Sequence, residues 1–409
     1  MSTIAWIALA SVVAWGWLLL GRGLYWRTDQ RLPEAAEEAV EADRWPSVAV
    51  VVPARDEAEL LPRTLPSLLT QDYPGRLAVF LVDDGSTDGT GALARELAAR
   101  HGGRRVTVSS PGAPAPGWTG KLWAVRHGIA LARSAREGGP EYLLLTDADI
   151  AHEPDSVRRL VAAATAGRLD LVSQMARLRT AGGWERRIVP AFVYFFAMLY
   201  PFRWVNRAGA RTAAAAGGCV LLRTATAVRA GVPEAYRQAV IDDVSLARAV
   251  RRAGGRLWLG LADRVDSVRP YPGLADLWSM VARCAYAQLW HQPLVLVAAV
   301  AGLGLVFLAP PAAVAAGLLA GDAAAGALGA AAWAAMAASY APMLRYYRQS
   351  LWQAPALPVT AALYLCMTVD SAVRHYRGRG AQWKGRTYPR PDAGPAGRRA
   401  EAAAPEHPA

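Results

Sequence analysis

The chain of 409 residues is 53% hydrophobic and 19% charged, and it carries a formal net charge of +12 at neutral pH. The hydrophobic fraction excludes intrinsic disorder, and a mean hydropathy of only +0.14 excludes a chain embedded in a membrane along its whole length. Together these values predict a soluble domain attached to membrane helices.

The first element is an uncharged apolar run over residues 4–20, which Arg22, Arg27 and Arg31 follow and no basic residue precedes. About 20 apolar residues span a bilayer, so residues 1–21 are predicted to form an uncleaved transmembrane anchor. The positive-inside rule places the N-terminus outside and the chain from residue 22 onward in the cytoplasm. Residues 22–45, partly rich in Ala and Glu, are interpreted as a linker.

Residues 46–290 are predicted to form an α/β domain. Apolar runs at 47–52, 78–82 and 142–145 indicate strands, and the spacing of residues 57–70 and 88–100 indicates helices. Strands that alternate with helices predict a parallel sheet covered on both faces. Ligands of such sheets bind beyond the carboxyl ends of the strands, and a polar motif follows each of these three strands.

The segment 184–204 is aromatic, contains two prolines and is flanked by arginines. This composition is typical of helices that lie in the membrane interface. A membrane span is disfavoured, because it would place acidic motifs of one domain on opposite sides of the membrane.

Residues 293–373 are predicted to be a transmembrane region, with candidate spans at 294–309, 312–341 and 352–373. Pro310 and Pro311 indicate a turn or kink, and Asp322 is expected in a tight loop because intramembrane acids are costly. Residues 374–409 form a basic tail with a disordered end. Four simple spans would leave this tail outside, against the positive-inside rule. Either one C-terminal segment is interfacial or re-entrant, or one more crossing exists.

The motif TDAD, which follows the third strand, contains Asp147 and Asp149. If both lie on a strand end they face the same side, and two carboxylates with substrate phosphates suit Mg²⁺. The loops after the first two strands, VPARDE and VDDGSTDGT, offer acceptors for a base or ribose and a cation for phosphate. Their candidate donor-binding residues are Pro53, Arg55, Asp56, Glu57, Asp83 and Asp84.

Lys121, one of only two lysines, follows Gly120 at a predicted helix start, where an ammonium can reach phosphate. The small-residue loop with Gly217 and Gly218 permits close approach of an acceptor. Asp242 and Asp243 begin a further predicted helix, where a carboxylate can be a cap or a general base. From the motif alone the cap is favoured. The six histidines show no pairing pattern and predict no site.

The ordered motifs VPARDE, VDDGSTDGT, GKLWA, TDAD, GGCVLLR and IDDVSLAR resemble those of family 2 of the inverting nucleotide-sugar glycosyltransferases. The resemblance implies a GT-A fold with a mixed, mainly parallel sheet. It implies that Asp56, Glu57 and Asp84 contact the nucleotide. It also implies that Asp147 and Asp149 hold Mg²⁺ or Mn²⁺ on the donor diphosphate and that Asp243, beside Asp242, is the catalytic base.

The segments PGWTGKLWAV, YPFRWVN and QWKGRTY extend the resemblance to the hopene-associated glycosyltransferases, and ceramide and carotenoid glycosyltransferases are similar in layout. The QxxRW motif of processive members is reduced here to Arg283, on the predicted acceptor side. Lys384 of QWKGRTY has no independent physical role.

The expected function is transfer of one sugar, from a UDP-sugar by preference, to a lipid (hopanoid-like) hydroxyl by a multi-pass protein of the inner membrane. Its catalytic domain is expected in the cytoplasm. A polysaccharide synthase or a carotenoid- or sphingolipid-type glycosyltransferase is the alternative among enzymes. A membrane transporter or scaffold is the alternative outside them. Nucleic acid is not expected as a partner, because anionic lipid headgroups explain the basic residues near the membrane segments.

Overall fold

A computed structural model describes residues 1–33, 44–101, 105–135, 138–378, 382–383 and 386–387. Its centre is one sheet of eight strands in the order β3-β2-β1-β4-β7-β6-β8-β5. The strands are β1 (Val48–Ala54), β2 (Leu77–Asp83), β3 (Arg105–Ser109), β4 (Tyr142–Thr146), β5 (Ile150–His152), β6 (Leu171–Leu178), β7 (Cys219–Arg223) and β8 (Leu257–Ser267). Two short antiparallel strands, β9 (Gln382–Trp383) and β10 (Arg386–Thr387), lie apart from it.

The sheet is mixed and mainly parallel, which confirms the predicted α/β architecture. Strand β1 pairs in parallel with β2 and β4, β2 pairs in parallel with β3, and β6 does so with β8. Strand β7 runs antiparallel to β4 and β6, and β5 runs antiparallel to β8. The three predicted strands are β1, β2 and β4, each within two residues of the predicted limits.

Helices cover both faces of the sheet. Side chains alternate between the two faces along each strand, so successive residues of β1 contact different helices. Val48, Val50 and Val52 pack with one group of helices, and Ala49 and Val51 pack with the other. The first group is α2 (Leu61–Leu69), α3 (Thr90–Arg100) and α5 (Ser156–Ala166). The second includes α4 (Gly120–Ser134), α6 (Gly183–Leu199), α9 (Asp242–Arg252) and α10 (Leu274–Gln288). Two short helices, α7 (Phe202–Val205) and α8 (Thr224–Arg229), complete the domain.

The predicted helix over residues 57–70 begins later than expected, at Leu61, because Asp56 has a positive φ of 49° and the loop after β1 continues past it. The predicted helix over 88–100 begins at Thr90, after Gly89 in the left-handed region. Asp88 precedes that start, and its carboxylate accepts from the Thr90 N–H at 3.0 Å.

Helix α6 covers most of the segment that was expected in the membrane interface. It is apolar and long enough, together with α7, to count as a candidate membrane span. However, β6 precedes it and β7 follows it, and these strands are hydrogen-bonded neighbours in one sheet. A single crossing by α6 would separate them, so the fold excludes one. Its placement at the membrane surface stays a prediction.

Four further segments are long and apolar enough to cross a membrane. Two of them are single helices, α1 (Thr3–Gly21) and α13 (Ala323–Tyr346). The third is a continuous helix made of α11 (Pro293–Leu303), a π-helical turn (Gly304–Leu308) and α12 (Ala309–Ala320). The fourth is a 3₁₀ turn (Leu351–Ala356) joined to α14 (Leu357–Tyr376). Their exposed side chains are largely apolar, as in Trp6, Leu294 and Leu319. These surfaces are those that a bilayer would cover.

Pro310 and Pro311 mark a π-helical turn inside a continuous helix rather than the end of one. Proline has no N–H, so Pro310 cannot donate to the carbonyl of Val306, four residues earlier. The indole Nε1 of Trp15 on α1 donates to that carbonyl instead, at 2.8 Å. The prolines therefore create a polar site that a neighbouring helix satisfies.

The predicted span over residues 312–341 is wrong, because the helix breaks at Gly321 and Asp322. Gly321 has a φ of 67°, and the Asp322 carboxylate caps α13 by accepting from the Ala325 N–H at 3.0 Å. The expectation that Asp322 lies in a tight loop is confirmed. Helices α12 and α13 then pack so closely that a Cβ on Gly317 would lie 2.5 Å from the nitrogen of Gly326.

Part of the predicted linker is attached to the sheet. The N–H of Leu261 on β8 donates to the Gln30 carbonyl at 2.8 Å, and Asn206 donates to the Gln30 side chain at 3.0 Å. Residues 34–43 of the linker lie outside the described residues, as do nearly all of the basic tail and Lys384.

Candidate active site

The candidate site is a pocket at the carboxyl ends of β1 and β4, where the sequence predicts ligand binding. Five of the predicted site residues line it beside Lys121: Pro53, Asp147, Gly217, Asp242 and Asp243. Apolar side chains of α4, β4, β7 and α9, together with Thr146 and Tyr236, form the rest of its wall. The fold thus brings together residues that are more than 100 positions apart in the sequence.

Lys121 lies between two carboxylates. Its Nζ is 2.8 Å from Asp147 and 3.0 Å from Asp242. It projects from the first turn of α4, which begins there because the Thr119 hydroxyl caps it by accepting from the Leu122 N–H. Burial alone lowers the pKa of Lys121, but the charges of Asp147 and Asp242 outweigh burial and raise it. The lysine therefore stays protonated.

Asp243 is held by backbone donors. Its Oδ2 accepts from the Gly217 N–H at 3.0 Å, and its Oδ1 accepts from the Val244 N–H at 2.7 Å. Ile241 occupies the N-cap position of α9 and provides no side-chain cap, and both acids lie in the first turn of the helix. Burial and the adjacent charge of Asp242 raise the pKa of Asp243 to about 7, against the opposing effect of the Val244 N–H and Lys121. A carboxylate with this pKa can take up and release a proton near neutrality.

The two acids of TDAD do not lie on a strand, and this corrects the expected geometry. Strand β4 ends at Thr146, and the Ile150 N–H donates to the Asp147 carbonyl at 3.1 Å to close a turn. Asp147 contacts Lys121, whereas Asp149 accepts from the Ser267 hydroxyl at 2.8 Å and lies 3.3 Å from Arg269. Burial raises the pKa of Asp147, partly offset by Lys121.

The loops after β1 and β2 bind one another. The Thr87 N–H donates to Asp56 at 2.8 Å, and the Glu57 N–H donates to the Thr90 hydroxyl at 2.8 Å. Arg55 donates to the carbonyl of Asp84, and the Ser86 N–H donates to Asp83 at 2.9 Å. The predicted donor-binding residues other than Pro53, Lys121 and Asp147 thus form one interlocked rim beside the pocket.

Two residues of this region were not predicted from the sequence. Arg269 lies after the end of β8 and joins Glu57, at 2.6 Å, to Asp149. Tyr236 lines the pocket from the loop before α9. An arginine directly after a strand was a usable signal for Arg269, whereas nothing local distinguishes Tyr236.

Of the predicted acceptor-side residues, Gly217 lines the pocket and Gly218 adjoins it in sequence. Gly217 contacts Asp243, and a Cβ on Gly218 would lie 3.0 Å from the Ile150 side chain, which explains the small residue there. Arg283 projects from α10 within electrostatic range of Asp242.

The donor set suits a divalent cation that is shared with a substrate. Within the described ranges, no three His, Cys, Asp or Glu side chains come together as a cluster of metal ligands. Asp147 and Asp149 offer two carboxylates in one turn, which is the usual protein share of a Mg²⁺ site completed by phosphate oxygens. The ion pair with Lys121 shows that the Asp147 carboxylate already lies beside a positive charge.

Comparison with known families supports the enzyme class expected from the motifs. Residues 49–227 match the model of Glycosyl transferase family 2. This segment contains β1 to β7 and therefore most of the sheet and the TDAD turn.

Two relatives and one solved structure illustrate the likeness. The chain is 33% identical over 110 residues to 4,4'-diaponeurosporenoate glycosyltransferase of Staphylococcus haemolyticus, covering 27% of this chain and 26% of that protein. It is 34% identical over 121 residues to polyprenol monophosphomannose synthase of Mycolicibacterium smegmatis, covering 29% and 41%. The alignments span less than half the length of these relatives.

The mannosyltransferase PcManGT from Pyrobaculum calidifontis, solved in complex with GDP-Man and Mn²⁺, has a similar structure. The TM-score is 0.51 at 20% identity, and the match covers 90% of this chain and 99% of that chain. At this identity the likeness concerns the fold alone, and together with the family match it supports a GT-A α/β fold with a mixed sheet.

Proposed function

We propose that this protein is a membrane-anchored inverting glycosyltransferase of family 2 that transfers one sugar from a nucleoside diphosphate donor to a lipid hydroxyl. The observation that carries the proposal is the charged cluster of the pocket. Lys121 joins Asp147 of TDAD to Asp242, and Asp242 adjoins a carboxylate with a pKa of about 7. The family match over residues 49–227 supports the same reaction class.

The residues divide into a donor end and an acceptor end. Lys121 offsets negative charge that develops on the leaving diphosphate. A divalent cation held by Asp147 and Asp149, Mg²⁺ or Mn²⁺, supplies Lewis-acid stabilisation of the same charge when bound. The interlocked loops with Asp56, Glu57 and Asp84 hold the nucleoside.

Asp243 acts as the general base at the acceptor end. It takes the proton from the acceptor hydroxyl while that oxygen bonds to the anomeric carbon and the bond from this carbon to the diphosphate breaks. Attack from the face opposite the leaving group inverts the anomeric centre. Gly217 orients the base through its N–H and leaves room for the acceptor.

The acceptor is a membrane lipid with a hydroxyl group, hopanoid-like by the resemblance of the chain, and the preferred donor is a UDP-sugar. The names of the two relatives support a largely apolar acceptor, because polyprenol and 4,4'-diaponeurosporenoate are both long hydrocarbon chains with a polar end group. The exposed apolar helices support access from within a bilayer.

The positions of the helix ends suggest a topology of three crossings. Arg22, at the end of α1, donates to the carbonyls of Met198 and Leu199, and Tyr346, at the end of α13, donates to the β8 carbonyl of Ala262. Ser2 bonds to Asp322 at the opposite ends of the same helices. Thus α1, the α11–α12 helix and α13 run between one level beside the sheet and one level remote from it.

Residues 351–376 are then re-entrant. The Trp333 indole, about halfway along α13, donates to the Pro355 carbonyl, so the chain penetrates to about half the membrane depth. It returns along α14 to Tyr376, whose hydroxyl lies 2.9 Å from that of Tyr286, just before α11. The end of α14 and the catalytic domain share one side, which is the cytoplasm by the positive-inside rule. This topology removes the conflict raised by four simple spans.

The proposal is tested with the purified full chain in lipid nanodiscs, supplied with labelled UDP- and GDP-sugars and hydroxyl-bearing membrane lipids. We expect a glycolipid of inverted anomeric configuration, and we expect Asp243→Asn to abolish its formation. Asp276→Asn is the matched control, because Asp276 also lies in the first turn of a helix but only caps α10. Full activity of Asp243→Asn would exclude Asp243 as the base, and no transfer from any donor by the wild type would refute the function.

A further inference from the structure

A buried network of three hydrogen-bonded side chains lies behind the TDAD turn. Thr146, His152 and Ser156 are each less than 5% exposed. The Thr146 hydroxyl is 2.8 Å from the Gly218 carbonyl and 3.0 Å from His152 Nε2, and His152 Nδ1 is 3.0 Å from the Ser156 hydroxyl.

The direction of these hydrogen bonds follows from their chemistry. A carbonyl only accepts, so the single hydroxyl proton of Thr146 goes to Gly218. The threonine oxygen must then accept from His152 Nε2–H, which leaves Nδ1 to accept from Ser156. Burial lowers the pKa of His152 to about 4, so the ring is neutral, as this arrangement requires.

This network of hydrogen bonds connects the two sides of the pocket, the one with Asp147 and the one with Asp243. Thr146 is the last residue of β4 and directly precedes Asp147, and its register partner Cys219 is the first residue of β7. The Gly218 carbonyl, which Thr146 binds, belongs to the same short loop as the Gly217 N–H, which binds Asp243 at 3.0 Å. The Asp147 N–H also donates to the Gly218 carbonyl, at 3.4 Å, and the Thr146 hydroxyl adds a second, shorter bond to it.

Helix α2 holds the other side of the turn. The Thr64 hydroxyl donates to the Ala148 carbonyl at 2.8 Å, and the Ser67 hydroxyl accepts from the His152 N–H at 3.0 Å. The turn between Asp147 and Asp149 is therefore attached at its start, its middle and its exit.

We propose that His152 and Thr146 are positioning residues that set the Asp147 carboxylate and the Asp243 carboxylate at one fixed separation through the Gly217–Gly218 loop. Thr146 lines the pocket, but its hydroxyl bonds to Gly218 and His152, so the two residues act through the carboxylates. This inference rests on the proposed function, because it assigns the two carboxylates to the donor and acceptor ends of one reaction.

The test uses isosteric changes in the full chain. Thr146→Val removes the hydroxyl and keeps the shape, Thr146→Ser keeps the hydroxyl, and His152→Phe removes both ring contacts. We expect Thr146→Val and His152→Phe each to lower kcat/KM for transfer about tenfold, in line with the loss of one buried hydrogen bond. They should also weaken Mn²⁺ binding in the presence of UDP or GDP, measured by calorimetry. Thr146→Ser should stay within about twofold of the wild type.

The double variant discriminates a shared role from separate damage. Residues that act as one unit are non-additive, so Thr146→Val with His152→Phe should lose no more than the stronger single variant. Thr226→Val is the control for general destabilisation, because Thr226 is a buried threonine whose hydroxyl bonds Asp170 remote from the pocket.

Wild-type kcat/KM and Mn²⁺ affinity in Thr146→Val, with a melting temperature lowered only as far as in Thr226→Val, would overturn the inference. Multiplicative losses in the double variant would overturn it as well. If the wild type itself transfers no sugar, the proposed function fails, and the calorimetric comparison still decides whether the network positions Asp147.

Discussion

The raised pKa of Asp243 predicts how the transfer rate depends on pH. A base must be ionised to accept a proton, and with a pKa of about 7 Asp243 is roughly 10% ionised at pH 6 and roughly 90% ionised at pH 8. We therefore expect kcat/KM to rise about tenfold between these values and to level off above pH 8. An ordinary aspartate, with a pKa near 3.9, would give a flat profile over this range.

The acidic limb of the pH profile is the range in which kcat/KM rises with pH. Two variants should shift this limb along the pH axis in opposite directions. The charge of Asp242 raises the pKa of Asp243, and the charge of Lys121 lowers it. Asp242→Asn should thus shift the limb to lower pH, and Lys121→Met should shift it to higher pH, whatever each does to the maximal rate. The matched control Asp276→Asn should leave the limb in place.

The assay is the initial rate at subsaturating acceptor, measured in overlapping buffers from pH 5.5 to 9 after a check that the protein recovers full activity at pH 8. Because the position of the limb is read rather than its height, partial loss of donor binding in Lys121→Met does not affect the reading. A flat wild-type profile, or a limb at the same pH in all variants, would refute the assignment of Asp243 as the titrating base.

Three further predictions concern the cation, the helix bundle and the topology. Mn²⁺ should raise the melting temperature of Lys121→Met more than that of the wild type, because the lysine no longer neutralises Asp147; an equal or smaller rise would contradict a cation site there. Trp15→Phe should lower the free energy of unfolding in detergent by about 1–2 kcal/mol, since it leaves the Val306 carbonyl unpaired; calorimetry should find this loss, and no loss would show that another donor replaces the indole. In oriented vesicles, a membrane-impermeant thiol reagent should label Tyr376→Cys from the cytoplasmic side and Asp322→Cys from the opposite side, in a background without the native cysteines. Labelling of both from one side would exclude the three-crossing topology.

Local pattern sufficed for the elements and the charged residues of the site. Each strand end that carries an acidic motif is a buried apolar run followed by a polar loop, and such runs depend on few distant contacts. Asp147 and Asp242 were therefore found at a strand end and a helix start, and Lys121 at the first turn of α4.

What the sequence could not predict depends on contacts between distant segments. The strand interpretation placed Asp147 and Asp149 on one face, but the chain turns back at Ile150 to pair with β8, which aims Asp149 at Arg269. His152 shows no motif, because its partners are reached only after that turn has formed. Pro310 and Pro311 predicted a turn or kink, and nothing local reveals that Trp15 satisfies the Val306 carbonyl.

If the proposed function holds, the fold brings the proposed base close to the apolar helices. Tyr200, at the end of α6, bonds to Gln288 at the end of α10, so two helices that approach the bundle meet there. Burial raises the pKa of Tyr200, and the charge of Asp243 contributes, which places this tyrosine near the proposed base. Arg22, where α1 leaves the bundle, binds the carbonyls of the two residues just before Tyr200. The proposed acceptor end of the pocket is thus close to the level at which the apolar helices end, and a lipid hydroxyl needs to rise only a short way from the bilayer to reach it.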